Sequence, residues 1–274
     1  MFNQLEIISD EQSEKLYTVR RYIKSLESVC IAYSGGVDSS LVASLAFEQL
    51  GSKSIAITGI SPALANTLRE EARSQAKWIG VKHLEIKTSE LDQLSYNKNP
   101  KNRCFACKKE LHKHTTYLSK KLNYKIVLDG VNLDDLKDYR PGIVASKKAG
   151  VISPLAKFKF SKKDIRDISR ALGFPWWDKP AQPCLSSRFP YGLEITSERL
   201  KMVEKAEAYL RERGLSEVRV RCQGSTARIE IPKDELKHFF NKYNFGELVQ
   251  YFSDLGFNCT SLDLEGLVSG KLNR

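Results

Sequence analysis

No apolar run in this chain of 274 residues approaches the length that crosses a bilayer. The opening Met1-Phe2-Asn3-Gln4-Leu5-Glu6 carries neither a basic stretch nor the apolar core of a signal peptide. The expectation is a cytoplasmic protein with no membrane partner. Thiols stay reduced in that compartment, so the six cysteines point to metal or catalysis rather than to disulfides. Acidic residues are also in deficit: 33 Asp and Glu against 44 Lys and Arg leave a net charge of +11. Such an excess suits tRNA or an anionic small molecule such as a nucleotide. The lysine pairs Lys108-Lys109, Lys120-Lys121, Lys147-Lys148 and Lys162-Lys163 lack the interleaved aromatics of single-strand binders, however. They read as solvated surface, and nucleic acid is not the expected partner. Internal repeats and low-complexity segments are absent.

What is present alternates between strand and helix. Val29-Cys30-Ile31-Ala32-Tyr33 and Ser54-Ile55-Ala56-Ile57-Thr58 read as buried strands, followed by His83-Leu84-Glu85-Ile86 and Tyr124-Lys125-Ile126-Val127-Leu128. Leu64, Leu68, Ala72, Ala76 and Ile79 recur at helical spacing, and Gly80 supplies a stop. Ser161 to Asp164 is a capping box opening a helix through Ile165, Ile168 and Leu172. Alternating units of this kind imply an α/β fold with a parallel sheet, with ligands at the carboxyl ends of strands, near Ser34, Thr58 and Asp129.

After Trp176 to Pro180 the chain becomes proline-rich loop as far as Pro190-Tyr191-Gly192. We therefore expect a first domain over 1–189 and a smaller α+β domain over 190–274. The second reads helix, hairpin, helix, strand. Val218, Val220 and Cys222 alternate inward, as do Ala227, Ile229 and Ile231 beyond a Gln223-Gly224 turn. Arg219, Arg221 and Arg228 then alternate outward. Phe239, Phe240, Phe245, Leu248 and Phe252 read as core, and so do Cys30, Cys222 and Cys259.

The segment Ser34-Gly35-Gly36-Val37-Asp38-Ser39-Ser40 joins the first strand to a helix. A strand that ends in a glycine pair and opens a helix aims backbone N–H groups and the positive helix end at one point, which suits phosphate. The lysine of a Walker A loop is missing, so that loop type is excluded. Asn132, Asp134, Asp135, Asp138, Tyr139 and Arg140 follow the strand end at Asp129-Gly130, and the three carboxylates suit a hydrated Mg2+ or an ordered loop. Cys104 and Cys107 form a lone C-x-x-C, which fits a redox pair, half a zinc site with His112 and His114, or iron–sulfur ligands. Cys184 lies in a loop beside Arg188, whose charge favours a thiolate.

The loop at Ser34 to Ser40 resembles the SGGxDS pyrophosphate loop (PP-loop) of ATP pyrophosphatases. SGGVDSS, TGISPAL, NRCFACKKEL, LDGVNLDDLKDYRPG, ISPLAKFKFSKKDIR, PCLSSRFPYG, VRVRCQGSTARIEI and LDLEGLVSGKLN together resemble the LarE-type ATP-dependent sulfur transferases, in order and over nearly the whole chain. The resemblance implies an adenine nucleotide α-hydrolase fold. It also implies ATP and Mg2+ held around Ser34, Gly35, Gly36, Asp38, Ser39, Ser40, Thr58, Gly130, Asp135 and Arg140. The implied reaction adenylates the carboxylates of pyridinium-3,5-biscarboxylic acid mononucleotide and makes thiocarboxylates, in assembly of the nickel-pincer nucleotide of lactate racemase. Cys184 is then the catalytic sulfur, or one of three ligands with Cys104 and Cys107 of a 4Fe-4S cluster fed by sulfide or a cysteine desulfurase. Matching charged positions imply that Arg219 and Arg221 hold substrate phosphate, and that Glu207 and Glu230 hold a metal at a subunit interface of a homo-oligomer. The alternatives are a tRNA thiolase of the same superfamily, an ammonia-using adenylating ligase, and a zinc- or nucleotide-binding regulatory module.

Overall fold

The computed structural model describes residues 5–138, 140–268 and 271. Tyr139, expected in the loop after Gly130, lies outside the described residues, as do positions 269, 270, 272 and 273 of the LDLEGLVSGKLN segment. In chain order the elements are α1 (Asp10–Ser25), β1 (Val29–Ala32), α2 (Val37–Leu50), β2 (Ser54–Ile60), α3 (Asn66–Ile79), β3 (Lys82–Lys87), α4 (Leu94–Asn97), α5 (Arg103–Lys121) and β4 (Ile126–Leu128). They continue with α6 (Pro141–Lys148), α7 (Pro154–Lys157), α8 (Lys162–Ala171), α9 (Ser197–Glu212), β5 (Arg219–Gln223), β6 (Thr226–Glu230), α10 (Leu236–Lys242), α11 (Phe245–Asp254) and β7 (Cys259–Leu262). Among the described residues no helix is long and apolar enough to cross a membrane.

The chain divides into two compact units. The first comprises residues 1–61, 66–90 and 102–182; the second comprises 62–65, 91–101 and 183–274. The second unit thus begins at Pro183, and two short segments from the first half of the chain join it.

The first unit is built on a parallel sheet in the order β3-β2-β1-β4. Register is set by Val29 opposite Ser54 and Ile126, and by Ile55 opposite Lys82. Every residue of β1 is buried, as expected for a central parallel strand covered on both faces. On one face, Leu16, Val19 and Ile23 of α1 share a core with Leu41, Val42 and Leu45 of α2 and with Ile165 and Ile168 of α8. Cys30, Ile55, Ile57 and Val127 point to the other face, where Leu118 of α5 packs against them. Truncating the fully buried Leu41 or Leu45 to alanine costs about 2–5 kcal/mol. Helix α1 starts at a reciprocal capping box between Ser9 and Gln12 that our sequence reading passed over, whereas the Ser161–Asp164 box opens α8 as expected.

In the second unit, β5 and β6 form an antiparallel hairpin and β7 adds alongside β6 in parallel. Val220, Cys222, Ala227 and Ile229 are buried on one sheet face with Leu200, Val203 and Leu210 of α9 also buried. Two core expectations are corrected here. Cys259 is exposed on the edge strand β7, and Phe240 and Phe245 are 52% and 41% exposed while Phe239, Leu248 and Phe252 are buried. The α10–α11 aromatics recur closely enough that helical spacing alone did not separate the buried from the exposed members.

Candidate active site

The strand order of the first unit reverses between β1 and β4, and ligands of open α/β sheets bind outside the carboxyl ends of strands at such a switch point. Ser34 to Ser40 leaves β1 there, and Asp129-Gly130 leaves β4. The two segments lie in contact. A Cβ on Gly130 would stand 2.7 Å from the Ser39 backbone nitrogen, so only glycine lets β4 approach the first turn of α2 so closely. Gly35 has φ +71° and packs on α3, where a Cβ would stand 2.9 Å from that of Ala72. Both glycines shape a backbone cradle that side chains would fill.

The serines divide their labour. Ser39 Oγ donates to the Gly36 carbonyl at 3.0 Å and accepts from the Ser34 backbone N–H at 3.3 Å, which closes the loop on itself. Ser40 is fully buried and approaches Gln75 Oε1 at 3.4 Å, so its hydroxyl faces α3. Ser34 alone of the three is exposed. Gly36 is the N-cap of α2 and supplies no side-chain acceptor, leaving the first-turn N–H groups for an anion. Thr58 is buried; its Oγ1 donates to the Tyr33 carbonyl at 2.9 Å and therefore accepts from His83 Nε2 at 2.8 Å. The hydroxyl thus ties β2 to the end of β1 directly ahead of the loop. Burial pulls the His83 imidazole below its ordinary value, which favours that neutral donor.

Of the two expectations for the acidic loop after Gly130, a hydrated Mg2+ or an ordered loop, the side-chain bonds fit the ordered loop. Asp134 accepts the Lys162 backbone N–H at 2.8 Å, Asp135 accepts the Asn132 N–H at 3.1 Å, and Asp138 pairs with Arg140. Arg140 also holds Asp135 at 2.7 Å. Burial raises the Asp135 carboxyl, with the nearby Asp38 charge adding to it. These side chains spend themselves on building the loop. The carboxylate that stands at the phosphate cradle is Asp38, in the first turn of α2. Its Oδ1 accepts from Asn132 Nδ2 at 3.1 Å and its Oδ2 pairs with Lys162 Nζ at 2.6 Å. In the sequence Lys162 belongs to a lysine pair that reads as solvated surface, and nothing in local spacing ties it to a residue 124 positions away.

Cys104 and Cys107 sit one turn apart at the start of α5, the first exposed and the second half-buried. The proposed histidine partners turn elsewhere. Ser146 Oγ on α6 donates to the Gly142 carbonyl and so accepts from the fully buried His112 Nε2 at 2.8 Å. His112 Nδ1 has no partner among the described residues, and burial pushes this imidazole down to about 3. His114 bonds Glu110 at 2.8 Å. Among the described residues no three His, Cys, Asp or Glu side chains form a group that could hold a metal ion.

In the second unit Cys184 is exposed at the start of a 3-10 turn, Leu185–Arg188, that is clamped on all sides. The Leu185 N–H donates to the Ala63 carbonyl at 2.9 Å, and Ser186 Oγ meets the Tyr96 hydroxyl at 2.6 Å. Arg188 donates to the carbonyls of Pro183 at 2.8 Å and Cys184 at 3.3 Å. Its donors thus shape the loop and do not bond the thiol. Burial alone would pull the guanidinium down, but Glu207 and then the Cys184 charge hold it above its ordinary value.

Glu207 and Glu230, expected as metal ligands, are corrected by their partners. Glu207 Oε1 accepts from Arg188 Nε at 2.7 Å and the Val220 N–H at 3.0 Å; Oε2 accepts from Arg188 Nη2 at 2.9 Å and Arg211 Nη2 at 2.7 Å. Each oxygen already has two donors, which leaves no lone pair for a cation. Burial would raise this carboxyl, yet Arg188 and Arg211 hold it below its ordinary value. Glu230, wholly buried, takes two bonds from Arg221 and one from Arg228. Arg221 is buried too, donating onward to the Ser187 carbonyl at 2.6 Å. Alternation correctly put Arg219, Arg221 and Arg228 on the face opposite the apolar residues, but that face is covered by the Cys184 loop. Arg188, Arg221, Arg228 and Lys271 line a cavity of about 340 Å³ on it. Arg219 is half-buried, and burial together with the guanidinium charges of Arg188 and Arg221 pulls it below its ordinary value. Among the described residues it has no ion pair, so its charge remains available to an anion.

Comparison with known proteins fits these two regions. Residues 16–128, which carry the cradle, match the asparagine synthase family. Over 264 residues, 94% of both chains, the sequence is 34% identical to a pyridinium-3,5-bisthiocarboxylic acid mononucleotide synthase of Lactiplantibacillus plantarum. It is 52% identical over 260 residues to an uncharacterized protein of Synechocystis, covering 95% of this chain and 97% of the other. A further uncharacterized protein, from Methanocaldococcus jannaschii, is 35% identical over 239 residues, covering 87% and 90%.

Proposed function

The chain belongs to the LarE-type family of ATP-dependent sulfur transferases, and from that premise we propose that it thiolates the carboxylates of pyridinium-3,5-biscarboxylic acid mononucleotide. A carboxylate is a poor electrophile. Its oxygen attacks the α-phosphorus of ATP, the bond to the β-phosphate oxygen breaks, and pyrophosphate leaves into the Ser34–Ser40 cradle. The acyl-adenylate then has AMP as a good leaving group. A sulfur nucleophile adds at the acyl carbon and expels AMP, which yields the thiocarboxylate. Asp38 and the ATP phosphates supply the oxygen ligands that Mg2+ requires. Arg219, on the same sheet face as Arg221, offers a cation that a nucleotide phosphate requires. The observation that carries the reading is the uncapped helix start that follows the glycine pair at the switch point of the sheet.

For the sulfur source we favour the three-cysteine reading over consumption of Cys184. Cys104, Cys107 and Cys184 are thiols with solvent access, the donor chemistry that a 4Fe-4S cluster with one open iron takes; among the described residues the three form no metal-holding group, so the reading rests on their chemistry alone. Such a cluster, when bound, supplies a labile sulfide, and Cys184 is then a ligand that survives each turnover. Anaerobic purification with iron and sulfide analysis of the wild type and of C104S, C107S and C184S tests this. Equal loss of iron in all three variants supports the cluster. Iron-free wild type that converts Cys184 to dehydroalanine, losing hydrogen sulfide, replaces it with sacrifice.

A further inference from the structure

The bond from Thr58 to the Tyr33 carbonyl fixes only the entrance of the Ser34–Ser40 loop. A second anchor reaches both of its ends. Of the buried residues of α3, Ala72, Ala76 and Ile79 are apolar and Gln75 is not. An amide on such a face costs stability unless it is hydrogen-bonded. Gln75 Oε1 accepts from the Tyr33 hydroxyl at 3.4 Å and from the Ser40 hydroxyl at 3.4 Å. Tyr33 is the residue directly ahead of the loop and Ser40 its last member, and their hydroxyl oxygens lie 3.4 Å from each other. Gly35 passes over the same atom: a Cβ there would stand 3.3 Å from Gln75 Oε1. All three polar side chains are buried, and burial pushes the Tyr33 phenol up to about 12, so it remains a donor. One amide oxygen thus sits beneath the loop and holds the residues that open and close it.

We propose that Gln75 is a positioning residue of the pyrophosphate site, acting through Tyr33 and Ser40 rather than on the reacting atoms. Backbone N–H groups hold an anion only where they converge on one point. Convergence at this loop requires its entrance and its exit to stay at a fixed separation, and the shared bonds to Gln75 set that separation from α3. Donors fixed in advance need no rearrangement as charge grows on the departing pyrophosphate. The three oxygen separations are longer than the usual ~2.7–2.8 Å of hydroxyl donors. Contacts of this kind in ligand-free sites tighten once the ligand is held, which gives the anchor slack to take up around an anion. No bond to Gln75 forms or breaks during the reaction. The inference rests on Ser34–Ser40 being the pyrophosphate loop.

The test uses two probes on the full chain by calorimetry, inorganic pyrophosphate with Mg2+ and AMP alone. Q75L should bind pyrophosphate about tenfold more weakly, the combined value of two neutral hydrogen bonds, and should bind AMP as wild type does. Y33F keeps the ring in the core and removes only the hydroxyl, so it should lose about threefold of pyrophosphate affinity and none for AMP. Because the two changes act on one contact, Y33F/Q75L should bind pyrophosphate no more weakly than Q75L. Selective loss with that non-additivity distinguishes a positioning residue from one that only supports the fold, whose removal weakens both ligands. Both affinities falling together, losses that add in the double variant, or pyrophosphate bound by Q75L at the wild-type value, overturns the inference. Wild type that binds no pyrophosphate overturns the loop reading itself and this inference with it.

Discussion

Replacing Glu207 by alanine removes the acceptor of four hydrogen bonds at once, two from Arg188, one from Arg211 and one from the Val220 backbone N–H. The carboxylate is 1% exposed and the Arg188 side chain 7%, so water does not replace what is lost. Arg188 keeps its carbonyl contacts to Pro183 and Cys184 but becomes a buried cation without a counter-charge. Breaking one side of such a pair costs about 3–5 kcal/mol. Glu207→Gln keeps the shape and one acceptor, so its cost falls to about 1.5–3 kcal/mol, the range for bonds to charged groups. The pair R188A/E207A should cost less than the sum of its single changes, since neither charge is then stranded. Denaturant unfolding of the full chain measures all four proteins. Labelling of Cys184 by a thiol reagent reads the local effect, and should accelerate in E207A as the Leu185–Arg188 turn loosens. E207A within about 1 kcal/mol of wild type, below the lower limit for a broken buried pair, would refute the reasoning. So would a Mn2+ titration in which E207A loses a binding site, because it would mean the carboxylate holds metal.

Further outcomes follow from the first unit. Gly130→Ala places a methyl against the Ser39 backbone and should abolish pyrophosphate release while leaving the second unit's unfolding unchanged, checked by a pyrophosphate assay and denaturant melts. His112 is held to about 3 against an ordinary 6.5, so the unfolded chain takes up a proton that the folded chain refuses. The associated stability is complete above about pH 6.5 and is lost as pH falls toward about 3, by at most about 1.4 kcal/mol per pH unit. H112Q removes that slope, so its stability deficit relative to wild type should shrink between pH 7.5 and 5.

The parts of this fold legible in the sequence are those governed by local rules. Buried runs marked β1 and β2, four-residue spacing marked α3, and a glycine pair between strand and helix marked the phosphate cradle. The Ser161–Asp164 box was legible because both of its partners lie within one turn. What escaped depends on chain separation. Lys162 reaches Asp38 across the fold, and no period in a lysine run announces that. Alternation marked the face of Arg221 and Arg228 but not the Cys184 loop that covers it, so buried ion pairs passed for surface charge. Glu207 and Glu230 show the same limit: a carboxylate that binds metal and one that binds guanidinium are identical until their neighbours are placed. Residues 62–65 and 91–101 joined the second unit through bonds such as Tyr96 to Ser186, which no composition shift records.

The central claim is that this site activates a carboxylate with ATP and replaces its oxygen by sulfur. Anaerobically purified protein, ATP, Mg2+, inorganic sulfide and pyridinium-3,5-biscarboxylic acid mononucleotide, followed by mass spectrometry of both nucleotide and protein, tests it most directly. The account predicts AMP, pyrophosphate and a nucleotide heavier by one oxygen-to-sulfur replacement per carboxylate, with Cys184 intact over several turnovers. A nucleotide recovered unchanged, with no pyrophosphate formed by protein that folds and binds ATP, would contradict it.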